Sequence, residues 1–148
     1  MYQYKESGLR NVWLKNGYEV HKTPYGDGVS VHFAEDLHAQ ILTALAMKPG
    51  RLTGAELRFI RKEMELSQAN LAGLIGVTAQ TLALWEKSKG KITAPSERLL
   101  RLLVEDRLSG KVHVERLIKK LNELEIEHHD SKLVFLEKSK HWKNQNTA

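Results

Sequence analysis

The chain has 148 residues, 41% of them apolar, with a formal charge of +5 and no cysteine. That length allows one compact domain or two small ones and excludes a large multidomain enzyme, while the missing thiols exclude disulfide staples and thiolate zinc sites. Charge is balanced over residues 1–48 and basic over 49–110 and 111–148, which draws weakly toward a polyanionic partner; with no apolar leader and no run near the roughly 20 apolar residues of a membrane span, a cytoplasmic, membrane-free protein is expected.

From Asn11 to Phe33 the pattern is strand-like, with Val12, Trp13 and Leu14, then Tyr18 to Thr23, then Val29 to Phe33. Asn16-Gly17 between the first two runs predicts a type I′ hairpin turn, so a small antiparallel β meander is expected. Glu35 to Met47 spaces Leu37, Ile41, Ala44 and Leu45 as one buried helical face, and Pro49-Gly50 ends it, placing a boundary at Lys48–Leu52. Thr53 and Glu56 form a capping box for a helix whose apolar side is Leu57, Ile60 and Met64, with Phe59 near its edge and Arg58, Arg61 and Lys62 pointing elsewhere. Ser67 then caps a short helix, Gln68 to Ile75, which Gly76 ends, and Thr78 caps another, Ala79 to about Lys87. After the basic loop Lys87–Lys91, Thr93-Ala94-Pro95 starts a helix to Leu108 whose leucines spread beyond one stripe, and Ser109-Gly110 stops it. A further helix after Lys111 carries Val114, Leu117, Ile118, Leu121 and Leu124 on one face; Lys132 to Leu136 reads as a short strand and His141 to Ala148 as a tail without regular structure.

The functional constellation lies at Leu66–Lys91. Two short helices meeting at a tight turn form a helix-turn-helix when Leu71, Ala72, Val77, Leu82 and Trp85 are buried together and Ala72 is small enough for the axes to approach. Ala79, Gln80, Thr81, Ala83 and Leu84 then remain outward, ready for a major groove. The segment LSQANLAGLIGVTAQTLALWEKSKGK resembles the Xre/Cro family of repressors over about residues 53–108. That resemblance implies a lambda-repressor-like domain in which Gln68 contacts phosphate and sometimes a base, and Gln80 and Leu84 hold the main base-reading positions with Ala79 and Thr81 beside them. Glutamine can pair with the N6 and N7 edge of adenine, while Leu84, where relatives often carry a polar or Arg side chain, shifts weight to thymine methyls and DNA shape. Lys87, Lys89 and Lys91, with Thr78 at the helix start, are the candidate backbone contacts, joined by Arg58, Arg61 and Lys62. Trp85 reads as core, and Glu86 as an anchor for the loop.

The N-terminal segment YKESGLRNVWLKNGYEVHKTPYG, followed by a helix, resembles the MqsA-like antitoxins, with Thr23-Pro24-Tyr25-Gly26 standing where that family carries a zinc-binding Cys-Pro-x-Cys-Gly knuckle. It implies a dimeric autorepressor of a type II toxin–antitoxin operon whose N-terminal region binds a toxin. The fold expected is mainly α with the small β meander (α+β), divided into a partner-binding unit at 1–50, the helix-turn-helix domain at 51–110, and a C-terminal helix and basic tail at 111–148, with dimerisation through Leu99–Leu124. The expected function is sequence-specific transcriptional repression by a homodimer on a palindromic double-stranded operator, with no cofactor or metal. A stand-alone repressor without a toxin and a protein-interaction module remain as alternatives. His21, His32 and His38 read as hydrogen-bonded or exposed, the adjacent His128, His129 and Asp130 are poorly placed to converge on one metal, and no catalytic arrangement follows from spacing, so no enzyme is expected.

Overall fold

The computed structural model describes residues 1–111, 113–127 and 132–145. The chain divides into two compact units, Met1–Glu115 and Arg116–Ala148. In the first, strand β1 (Tyr2–Gln3) pairs antiparallel with β2 (Trp13–Leu14), and β3 (Tyr18–Thr23) pairs with β4 (Gly26–Val31) in the register Tyr18↔Val31 to Thr23↔Gly26. The expected meander is therefore replaced by two separate two-stranded ladders. Gly17 is left-handed at φ +81° but Asn16 is not, so the type I′ turn, which needs positive φ at both residues, does not form there. Pro24 and Tyr25 make the tight reversal between β3 and β4. The physical reason is tertiary: pairing β2 with β1 goes with burial of Tyr4, Leu9 and Leu14, a return in apolar burial that a local turn preference does not match.

Helix α1 (Ala34–Ala46) buries Ile41, Leu42, Leu45 and Ala46, while Ala44 faces solvent. Helix α2 (Gly54–Glu63) opens with the predicted capping box: Thr53 Oγ1 accepts from the Glu56 amide at 3.2 Å, and Glu56 Oε1 accepts from the Thr53 amide at 2.8 Å. Lys48 Nζ donates to the same carboxylate oxygen at 2.7 Å. Burial alone would push the Glu56 carboxyl up, but the Lys48 ammonium and the Thr53 amide outweigh it and hold it below its ordinary value. Helices α3 (Gln68–Ile75), α4 (Ala79–Glu86) and α5 (Ala94–Leu108) follow with the boundaries read from their caps.

Leu57, Ile60, Leu71, Leu82, Leu100, Leu103 and Val104 form the centre of the core, each at most 1% exposed. Of the α5 leucines, Leu102 and Leu108 face outward. Segment 48–52 is pinned inside the unit: Arg101 of α5 donates to the carbonyls of Ala46 (3.1 Å), Lys48 (2.6 Å) and Gly50 (2.8 Å), and Glu97 accepts from the Leu52 amide at 3.1 Å. The guanidinium thus satisfies carbonyls that the end of α1 leaves open.

The second unit holds most of helix α6 (His113–Glu127), on which Leu117 and Leu121 are exposed, and a hairpin of β5 (Phe135–Lys138) and β6 (His141–Asn144). His141–Asn144 is therefore a strand, not an irregular tail. Its turn residues, Ser139 and Lys140, are both left-handed, at φ +55° and +67°, a conformation that Gly or Asn usually announces, so nothing in the composition signals the hairpin. His128, His129 and Asp130 lie outside the described residues. Among the described residues, no helix is long and apolar enough to cross a membrane.

Candidate nucleic-acid interface

An eight-residue helix is too short to hold its shape in water, so α4 depends on its cap and its packing. Thr78 Oγ1 accepts from the Thr81 amide at 3.1 Å and pairs with Thr81 Oγ1 at 2.9 Å, which fixes the first turn. Leu82 and Trp85 are buried, as are Leu71 and Ala72 of α3, which packs on α4, and Val77 in the turn is half-buried. Gly76 takes the left-handed conformation at φ +76°, and the Val77 amide bonds back to the Ala72 carbonyl at 3.0 Å, closing α3. The two helices are thereby held at a fixed crossing.

What α4 leaves outward is Gln80 and Leu84, both exposed, and Ala79, Thr81 and Ala83, each half-exposed. Leu84 is 44% exposed, a large apolar side chain that the fold itself does not use. Thr78 is exposed but its hydroxyl is occupied by the cap. Lys87 and Lys89 are exposed just beyond α4, where Ser88 turns left-handed at φ +59° and the Lys89 amide returns to the Leu84 carbonyl at 2.9 Å. Lys91 is exposed further on, bordering with Arg51, Trp85 and Ser88 a cavity of about 520 Å³. The fold thus brings Gln80, Leu84, Lys87 and Lys89 onto or next to one short helix and sets Lys91 toward a different recess.

Gln68 and Arg61 have other duties. Arg61 of α2 donates through Nε to Glu86 Oε2 at 2.7 Å and through Nη2 to Glu86 Oε1 at 2.9 Å, and Gln68 Nε2 donates to the same Oε1 at 3.3 Å. Arg61 also donates to the Leu66 carbonyl at 3.1 Å. Its side chain is 13% exposed and that of Glu86 4%, so the pair is a desolvated fork joining α2 to the end of α4. The Glu86 hydrogen bond raises the Arg61 pKa against the opposing effect of burial. Arg61 is therefore removed from the expected phosphate-contacting cations, whereas Arg58 and Lys62 stay exposed. Glu86 ties α4 to its neighbouring helices, where a bond to the following loop was expected.

One residue of the site gave no sequence signal. Gly54, the first residue of α2, lies against the end of α4, and a Cβ there would stand 2.4 Å from the Trp85 carbonyl oxygen and 2.8 Å from that of Glu86. Its position directly after the Thr53 cap looks like any helix start; only the packing shows why a hydrogen is needed. His38 likewise proves to be a tie, with Nε2 2.8 Å from Tyr4 Oη and Nδ1 2.7 Å from Glu63 Oε1, linking the N-terminal segment to α1 and α2.

Residues 57–105 match a helix-turn-helix family model, covering α2 from its fourth residue through most of α5. That is the region whose sequence resembles the Xre/Cro pattern. Searches of the curated proteins and of the solved structures find no match.

Proposed function

We propose that the protein is a sequence-specific DNA-binding transcriptional regulator of the Xre type, acting as a repressor that reads a palindromic operator as a homodimer. The observation that carries this reading is the outward strip of α4, Gln80 and Leu84 with Thr81 and Ala83, beside Lys87 and Lys89 on a scaffold that matches a helix-turn-helix family. Gln80 pairs with a base edge, Leu84 and Ala83 meet thymine methyls, and the lysines neutralise phosphates and set the register. Gln68, held against Glu86, presents the start of α3 to the backbone, as does Thr78 for α4. The likeness of residues 4–26 to MqsA-like antitoxins favours autorepression of an operon that also encodes a toxin, with the N-terminal part as the protein-binding region.

The test is equilibrium binding to duplex from upstream of the protein's own gene, against random duplex, at two salt concentrations. Gln80→Ala should lose about 1–3 kcal/mol on the specific site alone, whereas Lys89→Ala should weaken both duplexes alike and flatten the salt dependence. Equal losses on both duplexes for both variants would remove the assigned division between reading and positioning.

A further inference from the structure

Residues 4–12 form a pinned arm beside α2. The Tyr4 amide donates to the Val12 carbonyl at 2.9 Å, Gln3 Nε2 donates to the Arg10 carbonyl at 2.6 Å, and Leu9 is 2% exposed. Ser7 Oγ donates to the Tyr4 carbonyl at 2.6 Å and accepts from the Leu9 amide at 3.1 Å, so the loop holds its shape from within. The arm runs along the open face of α2. Glu6, Ser7 and Gly8 share one cavity with Arg58, Lys62 and Glu86, and Leu9, Arg10 and Asn11 share a second with Thr53, Ala55 and Ser88. Arg10 is thus delivered to the segment that carries Lys87 and Lys89.

The charges along this path are unevenly committed. Four carboxylates near this path have partners of their own: Glu6 the Tyr2 hydroxyl, Glu63 His38, Glu86 Arg61 and Gln68, and Glu56 Lys48. The side chains of Arg10, Arg58 and Lys62 are exposed and have no hydrogen-bond or ion-pair partner among the described residues. A row of cations without a direct ion-pair partner therefore continues from Lys87 and Lys89 to the α2 face and the arm. We propose that Arg10, with Arg58 and Lys62, extends the phosphate-contacting surface beyond the helix-turn-helix, so that the arm binds the backbone of the same duplex. This rests on the DNA-binding reading above and adds to it Arg10, which lies outside the matched helix-turn-helix region.

The experiment measures binding of the full chain to a random-sequence duplex between about 50 and 200 mM salt, where each neutralised phosphate contributes roughly 0.9 to the log–log slope. Arg10→Gln and Arg58→Gln should each shallow the slope by about that amount and weaken binding roughly eightfold near 0.1 M salt, equally on random and specific duplex. Lys89→Gln is the reference for the reading itself, and a circular dichroism melt confirms that each variant is folded. A shallower slope for Lys89→Gln with wild-type slopes for Arg10→Gln and Arg58→Gln would overturn the extended surface and leave the reading standing. Wild-type slopes in all three would overturn both. Unchanged DNA slopes with weakened binding of polyglutamate would assign the arm to an acidic protein partner and likewise overturn the proposal.

Discussion

Gly54→Ala sets two well-understood effects against each other. By intrinsic helix propensity alone, replacing glycine at an exposed helical position stabilises by up to about 1 kcal/mol. The packing predicts the opposite sign. A Cβ at this position would meet the Trp85 carbonyl oxygen at 2.4 Å, the Glu86 carbonyl oxygen at 2.8 Å and Ser88 Oγ at 2.8 Å. Close carbon–oxygen contacts in proteins run at about 3.3–3.6 Å, so α2 and α4 must separate by about 1 Å. Ser88 can rotate away, but the two carbonyls belong to the last turn of α4 and move only with it. Overpacking of this kind costs about 1–3 kcal/mol, giving a net loss of about 0–2 kcal/mol after a full propensity gain of about 1 kcal/mol. Gly73→Ala is the control, because a Cβ there meets nothing within 4 Å inside α3 and only the propensity term operates. Thermal unfolding followed by tryptophan fluorescence should therefore show Gly73→Ala equal to or more stable than wild type and Gly54→Ala less stable, with a fall of roughly 4 °C in Tm for each kcal/mol lost. Specific DNA binding should fall in Gly54→Ala by more than binding to random duplex, since the displaced element carries Gln80. A Gly54→Ala protein as stable as Gly73→Ala would refute the claim that this contact sets the spacing of α2 and α4.

Arg61→Met should destabilise by about 3–5 kcal/mol, because it strands the buried Glu86 carboxylate, while the double variant Arg61→Met/Glu86→Leu should recover much of that loss; chemical denaturation of both decides. Glu65 closes α2 in a left-handed conformation at φ +55°, so Glu65→Gly should stabilise by about 0.5–1 kcal/mol in the same assay, and Gly76→Ala should cost a similar amount. The folded-state pKa of Glu56 lies below its ordinary value of 4.5, so its contribution to stability is fully present above that pH and is lost as pH falls through the folded value. Melts recorded from neutral pH into the acid range should show this loss in wild type, and Glu56→Gln should be less stable at neutral pH but less sensitive to acid.

The helices from Gly54 to Leu108 were legible because each boundary has a local cause: Thr53, Ser67 and Thr78 precede their helices, Gly76 follows α3, and the apolar residues recur at helical spacing. The N-terminal strands lie close to where the pattern puts them, but the pairing of the first run differs for the complementary reason. Asn16-Gly17 is a strong local turn signal, but the partner of Trp13–Leu14 is Tyr2–Gln3, ten residues away, and no local pattern encodes that pairing. Arg101 and Arg61 show the same limit in side chains. Arg61 reads as a candidate phosphate contact and Arg101 carries no signal, yet Arg101 closes the end of α1 and Arg61 is held by Glu86, because long basic side chains are assigned by whichever unsatisfied acceptors the packing brings near. The outward strip Gln80–Leu84 was legible by subtraction once Leu82 and Trp85 were given to the core.

These ties bear on recognition because α4 is held at both ends by groups that its outward strip does not include. Thr78 fixes its first turn, and at the other end Glu86 is gripped by Arg61 while Gly54 permits the carbonyls of Trp85 and Glu86 to lie against α2. A bidentate base contact tolerates little displacement, since its two hydrogen bonds must both stay near 3 Å. An element of eight residues would not meet that tolerance through its own backbone bonds. The accuracy with which Gln80 is presented is therefore set by α2, and variants at Arg61 or Gly54 should mimic the loss of a base-reading residue while leaving the basic surface, and with it binding to random duplex, largely in place.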